Sequence, residues 1–381
     1  MEFRTVQSLL IEFGAARRIG EILRQRYAEK RLCLITDAFL HGSGLLAPAL
    51  SSLADAGWTV TVIDDVVADP PENVVLEVAE RARQSRAEIV LGLGGGSSLD
   101  VAKLIAALVA SSQSLHDMYG IGNVSGPRLP LILIPTTAGT GSEVTPVSIV
   151  TTGETTKMGV VSPMLYADMA ILDAELTMSL PPAATAMTGI DAMVHAIEAY
   201  TSRHLKNPLS DMLACKALGL LNENLLSACG GEANRAAREA MLLGATLAGQ
   251  AFANAPVAAV HALAYPIGGT FHVPHGLSNS LILPPVLHFN AQVVPHLYAE
   301  LAEIIVPRPS GSDEAKALAF IQRLESLIEE TGIPRRLADV GIRDDDLDGL
   351  AADAMKQVRL LGNNPRELTE QDARTIYAAA L

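Results

Sequence analysis

The 381 residues carry 28 Lys and Arg against 42 Asp and Glu, a net charge of −14 at pH 7, with 49% hydrophobic and 18% charged side chains. That much apolar surface excludes an intrinsically disordered chain, and an acidic balance with a pI near 5.1 argues against nucleic acid or anionic membranes as partners, since both reward basic patches. The length exceeds the roughly 250–300 residues at which a single core stops growing, so two domains and small-molecule ligands are expected.

The chain starts Met1-Glu2-Phe3-Arg4-Thr5-Val6, with an acidic second residue and neither the apolar run nor the small-residue cleavage site of a secretory signal. Apolar stretches elsewhere are broken before membrane-spanning length, one by Asp100 and Lys103, another by Asn254, Pro256 and His261. Cys33, Cys215 and Cys229, an odd number at spacings of no metal or redox motif, read as reduced thiols. A cytoplasmic location is expected.

Over the first 135 residues, β-branched runs (Leu32-Cys33-Leu34-Ile35-Thr36, Thr59-Val60-Thr61-Val62-Ile63, Glu88-Ile89-Val90-Leu91-Gly92 and Leu131-Ile132-Leu133-Ile134) alternate with segments of helical period. The alternation predicts βα units around a parallel sheet covered on both faces. Asp37 follows the first run directly. A carboxylate there can accept both ribose hydroxyls of an adenosine and repel a 2′-phosphate, favouring NAD over NADP; it can equally cap a helix beginning near Phe39.

The Glu88 run enters Gly92-Leu93-Gly94-Gly95-Gly96-Ser97-Ser98-Leu99-Asp100-Val101-Ala102-Lys103, with good helix formers at 104–110. Glycines let backbone N–H groups approach a ligand closely, and a helix N-terminus favours negative charge. Ser97 stands where the third glycine of a dinucleotide fingerprint belongs, and the loop does not follow the first strand, so a plain strand-to-helix turn is the alternative. After Ile132-Leu133-Ile134-Pro135, the polar run Thr136-Thr137-Ala138-Gly139-Thr140-Gly141-Ser142-Glu143 falls at the carboxyl end of a strand, where open α/β sheets bind ligands.

From Pro181 onward Ala-, Leu- and Glu-rich segments replace the β-rich runs. The proline pair Pro181-Pro182 can end one element and start a helix, which gives an α/β domain over 1–180 and an all-helical domain over 181–381. Residues 211–228, 232–253 and 313–331 are expected helices, and 306–312 a surface loop.

Within 182–200, Asp191 and His195 are spaced i, i+4 on a face otherwise formed by Met187, Ile190 and Val194. A buried carboxylate and imidazole must be paired or metal-bound, and an Asp–His hydrogen bond alone would satisfy both. Of nine histidines, His261, His272 and His275 cluster in the otherwise apolar stretch 251–283. His261 lies on a short helical run expected to end before Pro266, and His275 at a helix start. Val273 precedes a proline and should be extended, so His272 reads as a loop or substrate-side residue, or as a satisfied structural histidine. Asp191, His195, His261 and His275 together would offer one carboxylate and three imidazoles to a catalytic Fe²⁺ or Zn²⁺ with a position left open.

These motifs resemble, in order and over essentially the whole chain, the iron-containing (group III) alcohol dehydrogenases, relatives of glycerol dehydrogenase and dehydroquinate synthase. The resemblance rests on Gly94-Gly95-Gly96-Ser97 with Asp100 and Lys103, Pro135 to Glu143, Gly189-Ile190-Asp191-Ala192 with His195 to Tyr200, His261 to Pro266, Pro274-His275-Gly276, and Asn364-Pro365-Arg366. It implies a dinucleotide-binding α/β domain, an all-α dehydroquinate synthase-like second domain, and an active-site cleft between them. Metal ligands carry over to Asp191, His195, His261 and His275. Cofactor contacts carry over to Asp37, Gly94, Gly95, Gly96, Ser97, Asp100, Thr136, Thr137, Thr140 and Lys157.

The implied enzyme uses NAD(H) and one divalent metal, Fe²⁺ ahead of Zn²⁺, to exchange a hydride with a small alcohol or diol. It is also implied to form a homodimer or larger homo-oligomer, with residues 3–13 offered as an edge strand across subunits. Many family members have a histidine four residues after His261, where this chain has Tyr265, so the proton path rests on Tyr265 and His272 as candidates. The alternatives are a maleylacetate reductase-like enzyme, a lyase of the same superfamily, and a catalytically idle metal- or nucleotide-binding relative. The lyase would need more basic residues than Arg203 and Lys206 near the metal motifs, and an idle relative would be free to lose one of the four ligands.

Overall fold

The computed structural model describes residues 2–153, 156–230 and 234–381. Met1 of the chain's start and the first two residues of the expected 232–253 helix lie outside these. The described chain divides into two compact units.

The first unit holds Thr5–Thr137 and Ser142–Ser179. Its strands are β1 (Leu9–Ile11), β2 (Arg31–Asp37), β3 (Thr59–Val66), β4 (Ile89–Gly94), β5 (Gly120–Ile121), β6 (Leu131–Pro135), β7 (Val147–Thr152), β8 (Thr156–Val161) and β9 (Met169–Leu172). Six of them form a wholly parallel sheet in the order β1-β9-β6-β4-β2-β3. Successive side chains of a strand point to opposite faces, and the sheet has a core on each. Leu32, Leu34, Leu91, Ile132 and Ile134 pack on one face, while Cys33, Ile35, Val90, Leu131 and Leu133 pack on the other. Two-sided burial explains why these strands read as unbroken apolar runs. Residues 9–11 of the expected N-terminal edge strand pair with β9 of the same chain, at the sheet's edge.

Strands β7 and β8 form an antiparallel hairpin, with β5 added parallel to β8. This small sheet is not among the expected strands, although Val147-Ser148-Ile149-Val150-Thr151-Thr152 has the β-branched composition of one.

At the carboxyl ends of the main strands the chain turns sharply. The Asp37 side chain caps the short helix Ala38–Gly42, accepting from Leu40 N at 2.9 Å. Strand β4 passes through Gly95 into the helix Gly96–Ala110. Gly92 lets that helix lie against the sheet, since a Cβ there would stand 2.7 Å from Ala102 Cβ and 2.8 Å from Leu133 Cδ2.

Lys103, on that helix, is fully buried. Its Nζ donates to Val147 O at 2.6 Å, Ser142 Oγ at 2.7 Å, Asp100 Oδ1 at 3.1 Å and Thr145 Oγ1 at 3.2 Å. Burial lowers its pKa, and the charges of Asp100 and Glu143 oppose that shift. Asp100 is engaged on both oxygens, Oδ1 accepting from Ser142 Oγ at 2.5 Å and Oδ2 from Ile149 N at 3.0 Å. The pair therefore ties the helix to the β7–β8 hairpin.

The second unit holds Leu180–Leu381 and takes in Arg4 and the segment Ala138–Gly141. Among the described residues it contains no strand, and its longer helices are Pro182–Tyr200, Pro208–Cys229, Arg235–Asn254, Ala259–Phe271, His275–Ala291, Pro295–Ile305, Asp313–Thr331 and Glu370–Ala380. Proline opens three of them at the first turn, where its missing N–H costs nothing. Asn207, Asn234, Ser312 and Thr369 cap four starts through their side chains.

One expectation is corrected here. The helix carrying His261 does not stop before Pro266 but continues to Phe271, where His272 closes it in the left-handed conformation at φ 55°. Proline removes one helical hydrogen bond, yet Ala262, Leu263, Ala264 and Ile267 are all buried along this helix, and burial of that face outweighs one lost bond. No described helix is long and apolar enough to cross a membrane.

Replacing Lys103 by Met keeps the volume and strands its buried acceptors, so Lys103→Met is expected to lower the stability of the first unit by about 3 kcal/mol. Trp58, the chain's one tryptophan and buried in this unit, reports the shift in urea midpoint by fluorescence.

Candidate metal centre and cofactor site

The helix Pro182–Tyr200 buries three ionisable side chains along one face, Asp191, His195 and Glu198, at i, i+4 and i+7. The carboxylate of Glu198 receives the start of the next helix. Its Oε1 accepts from Val260 N at 2.7 Å, and its Oε2 from Ala258 N at 2.9 Å and from His261 Nδ1 at 2.6 Å. His275 is the first residue of its own helix. Gly276 behind it permits the close crossing, because a Cβ there would collide with the Met187 carbonyl oxygen.

These elements converge their donor atoms. Asp191 Oδ1 lies 3.6 Å from His275 Nε2, 3.8 Å from His261 Nε2 and 4.0 Å from His195 Nε2. One atom from each of Asp191, His261 and His275 falls within 4.8 Å of the others. His195 joins from the other side, its Nε2 3.0 Å from that of His261 and its ring stacked between Phe252 at 4.5 Å and His261 at 4.8 Å.

The protonation pattern suits a cation. His261 Nδ1 faces Glu198 Oε2 at 2.6 Å, and a neutral ring with its proton on that side would turn the Nε2 lone pair toward the cluster. Burial drives His195 down to about 3 against the pull of Asp191, which leaves it neutral. Burial also works against charge on His261, but the charge and hydrogen bond of Glu198, with Asp191 behind them, hold its pKa above the usual histidine range. Asp191 is buried too, and the three imidazoles and Asn279 overcome that penalty to keep it ionised. Two facing imidazole nitrogens need a proton or a cation between them. With a carboxylate alongside and no thiolate, the set fits a divalent ion such as Fe²⁺ or Zn²⁺.

Two residues of this site escape a reading of the sequence. Glu198 is one, though its position seven residues after Asp191 marks it as a buried carboxylate on the same face. The other is Asn279, one turn after His275. Its Nδ2 donates to Asp191 Oδ1 at 2.6 Å and stands 3.2 Å from His275 Nε2 and 3.3 Å from His261 Nε2. Tyr265 is half-buried, one turn after His261, with its ring 5.9 Å from that of His275. His272 is exposed and contributes no atom to the donor cluster.

In the first unit, the expected cofactor residues gather at one end of the sheet. A Cβ on Gly95 would lie 3.8 Å from Thr137, and one on Gly94 would lie 3.5 Å from Leu40 in the helix that Asp37 caps. Thr136 N donates to Gly94 O at 3.0 Å. Gly96 and Ser97 open the following helix. Asp100 points instead to Lys103, Ser142 and Ile149. Lys157, on β8, is nearly buried and paired with Asp69 at 2.7 Å and Thr151 at 2.9 Å. Thr140 belongs to the second unit, where its neighbour Gly141 (φ 60°) lies so close to Gly249 that a Cβ would be 2.5 Å from its Cα.

Residues 7–174 match the iron-containing alcohol dehydrogenase family, and residues 185–381 match the C-terminal part of the Fe-containing alcohol dehydrogenase family. Among curated relatives, long-chain-alcohol dehydrogenase 1 of Geobacillus thermodenitrificans (strain NG80-2) is 42% identical, over 93% of this chain and 91% of its own. The NAD-dependent methanol dehydrogenase of Bacillus methanolicus is 35% identical, over 97% of this chain and 96% of its own. The crystal structure of a 1,3-propanediol oxidoreductase superposes with a TM-score of 0.96 at 33% identity, covering 100% of this chain and 99% of that one.

A buried donor set of this kind should be stabilised by the ion it fits. Zn²⁺ at about 100 times its Kd is expected to add about 2.7 kcal/mol to the metal-free protein, raising its melting temperature in differential scanning calorimetry. His275→Ala should remove most of that rise, and an undiminished rise would place the ion elsewhere.

Proposed function

We infer the activity from family membership: the chain belongs to the iron-containing alcohol dehydrogenase family over both halves of its length. It is an oxidoreductase, a metal- and NAD-dependent alcohol dehydrogenase that also runs as an aldehyde reductase. The observation that carries this reading to the site is the pair of buried imidazole nitrogens of His195 and His261, 3.0 Å apart beside Asp191.

Asp191, His195, His261 and His275 are the residues we assign to hold the ion. When bound, a divalent ion supplies Lewis-acid polarisation of the substrate oxygen, and NAD(H) supplies or takes the hydride. With a divalent ion in place of the His261 proton, one carboxylate and three imidazoles would leave a net positive charge there, which would favour an alkoxide over a neutral alcohol. His275, with its side chain 37% exposed, stands on the accessible side of the cluster, and Asp191 and His195 close the buried side. Tyr265, beside His275, is placed to donate a hydrogen bond to substrate oxygen or to water. An unperturbed phenol, with a pKa of about 10, is a donor and not a base at neutral pH. His272, exposed at the end of the same helix, is kept as the second candidate for the proton path.

For the cofactor we assign the turn Gly94-Gly95-Gly96-Ser97, with Thr136 and Thr137, to the pyrophosphate, where backbone N–H groups and a helix N-terminus favour an anion. Thr140 and Lys157 are kept as further contacts. Asp100 serves through Lys103 by fixing that helix. Asp37 spends one oxygen on its helix cap and offers its charge to the ribose, so NAD is preferred to NADP. The division into a dinucleotide domain over 1–180 and a metal and substrate domain over 181–381 follows from these assignments. Small alcohols and diols are the proposed substrates, within a group of relatives named for methanol, 1,3-propanediol, lactaldehyde and long-chain alcohols. A cytoplasmic homodimer is the proposed form, consistent with three free thiols among the described residues.

The test is NADH oxidation with short aldehydes by metal-free protein reloaded anaerobically with Fe²⁺ or Zn²⁺. Turnover should require the ion, and Asp191→Ala and His275→Ala should each lower kcat/KM by roughly 10²–10³-fold with NADH still bound. Turnover without any divalent ion would sink the reading. Separately, Asp37→Ser keeps a helix cap and removes the charge, so NADPH use relative to NADH should rise by about tenfold. An unchanged ratio would remove Asp37 from the ribose.

A further inference from the structure

We propose that Glu198 is a positioning residue for the metal centre: by accepting from His261 Nδ1 it fixes the ring tautomer that leaves Nε2 bare toward Asp191 and His195. This deepens the metal reading above and rests on it.

A neutral imidazole carries one proton, on either nitrogen, with little intrinsic preference. In this site the Nε2 position is a strong competitor for it. A proton there would point at His195 Nε2, 3.0 Å away, with the Asp191 carboxylate at 3.8 Å. It would also occupy the direction in which an ion must be bound. Glu198 offers the better partner at 2.6 Å on the other side of the ring, and it is buried to 3% exposure, so its charge is little screened. The carboxylate keeps the proton out of the metal's place.

Its remaining contacts show why it stays an acceptor. Val260 N and Ala258 N both donate to it, so with His261 three N–H groups share two oxygens. The same bonds anchor the first turn of the His261 helix to the helix of Asp191 and His195, so ring, helix start and ligand face are set by one group. His195 is held by stacking on Phe252 and His261.

Glutamine at 198 cannot reproduce this arrangement. With its NH₂ in the place of Oε2 it faces Ala258 N–H and His261, which forces the His261 proton across to Nε2. With its NH₂ in the place of Oε1 it opposes Val260 N–H. Glu198→Gln is therefore expected to weaken Zn²⁺ binding about 10–100-fold, measured by competition with a chelating dye, and to alter the visible spectrum of the Co²⁺-loaded protein. The Kd for NADH, read by nicotinamide fluorescence, should not change. Equal Zn²⁺ affinity in parent and variant overturns the assignment.

Since the variant also loses part of a helix cap, a second measurement uses the unsubstituted chain. Long-range ¹H–¹⁵N spectra of the metal-free protein labelled at histidine, recorded at a pH above the raised His261 pKa and with His261→Gln to assign the ring, should show His261 protonated at Nδ1 and bare at Nε2. The opposite tautomer overturns the proposal. A parent chain that takes up no Zn²⁺ would sink the metal reading itself, while the spectrum still decides what Glu198 does.

Discussion

Imidazole nitrogens do not face each other at 3.0 Å in a protein interior unless a proton or a cation lies between them, and the helical unit is arranged around that constraint. Asp191, His195 and Glu198 come from one helix, His261 from the first turn of a second, and His275 and Asn279 from the first turns of a third. Bringing three helices so close needs small residues at the crossings. Gly276 meets the Met187 carbonyl where the third helix crosses the first, while Gly189, against Leu225 and Met241 of two neighbouring helices, and the loop residue Gly139, against Thr188, seat the first helix itself. A side chain at any of these positions would push apart donor atoms whose usefulness depends on tenths of an ångström.

The sheet unit solves a different problem with a similar device. The residues proposed for the cofactor stand at strand ends, where backbone amides would do the binding, so what must be held still is the helix behind the glycine turn. Asp100 and Lys103 do this from within, as a buried ion pair whose remaining valences are filled by Ser142, Thr145 and the backbone of Val147 and Ile149. Breaking such a pair costs far more than the pair itself contributes, which makes it a poor source of stability and a good lock on geometry. Its two residues sit in the glycine motif, and Asp100 reads in sequence as a cofactor contact. In the structure they serve that turn from underneath.

Legibility in the sequence tracks how local each signal is. The parallel sheet announces itself because two-sided burial produces apolar runs without alternation, the 182–200 helix starts at its proline signal, and the 313–331 helix spans the residues its composition marks. Pro266 misleads because a local rule, that proline ends helices, loses to a non-local one, the burial of Ala262, Leu263 and Ile267. The β7–β8 hairpin is hidden for the opposite reason, since its pattern is local and plain but lies between motifs whose residues speak of chemistry. Asp37 is ambiguous in sequence between cap and cofactor contact, and its geometry serves the cap visibly while leaving a charge at the sheet's end. Among site residues, the histidines stand out by rarity. Glu198 and Asn279 do not, because Glu and Asn are common, and what distinguishes these two is the set of donors around them, which exists only once the helices have packed.

The choice of donors also limits what the site can discriminate. None of the three cysteines enters the cluster, so no soft ligand selects zinc over iron, and a set of one carboxylate and three imidazoles follows the general order of affinities among divalent ions. What the protein controls is the charge and aim of the ligands: Asp191 kept ionised, His195 kept neutral by burial, His261 aimed by a carboxylate behind it. A carboxylate behind an imidazole raises its basicity and so strengthens its hold on the ion, at some loss of the positive charge that polarises a substrate. The site trades electrophilicity for retention at His261, whose side chain is 3% exposed, while His275, at 37%, takes the side open to substrate. That asymmetry puts the better-supported of the proposed ligands in the core and the more accessible one on the exposed side of the cluster.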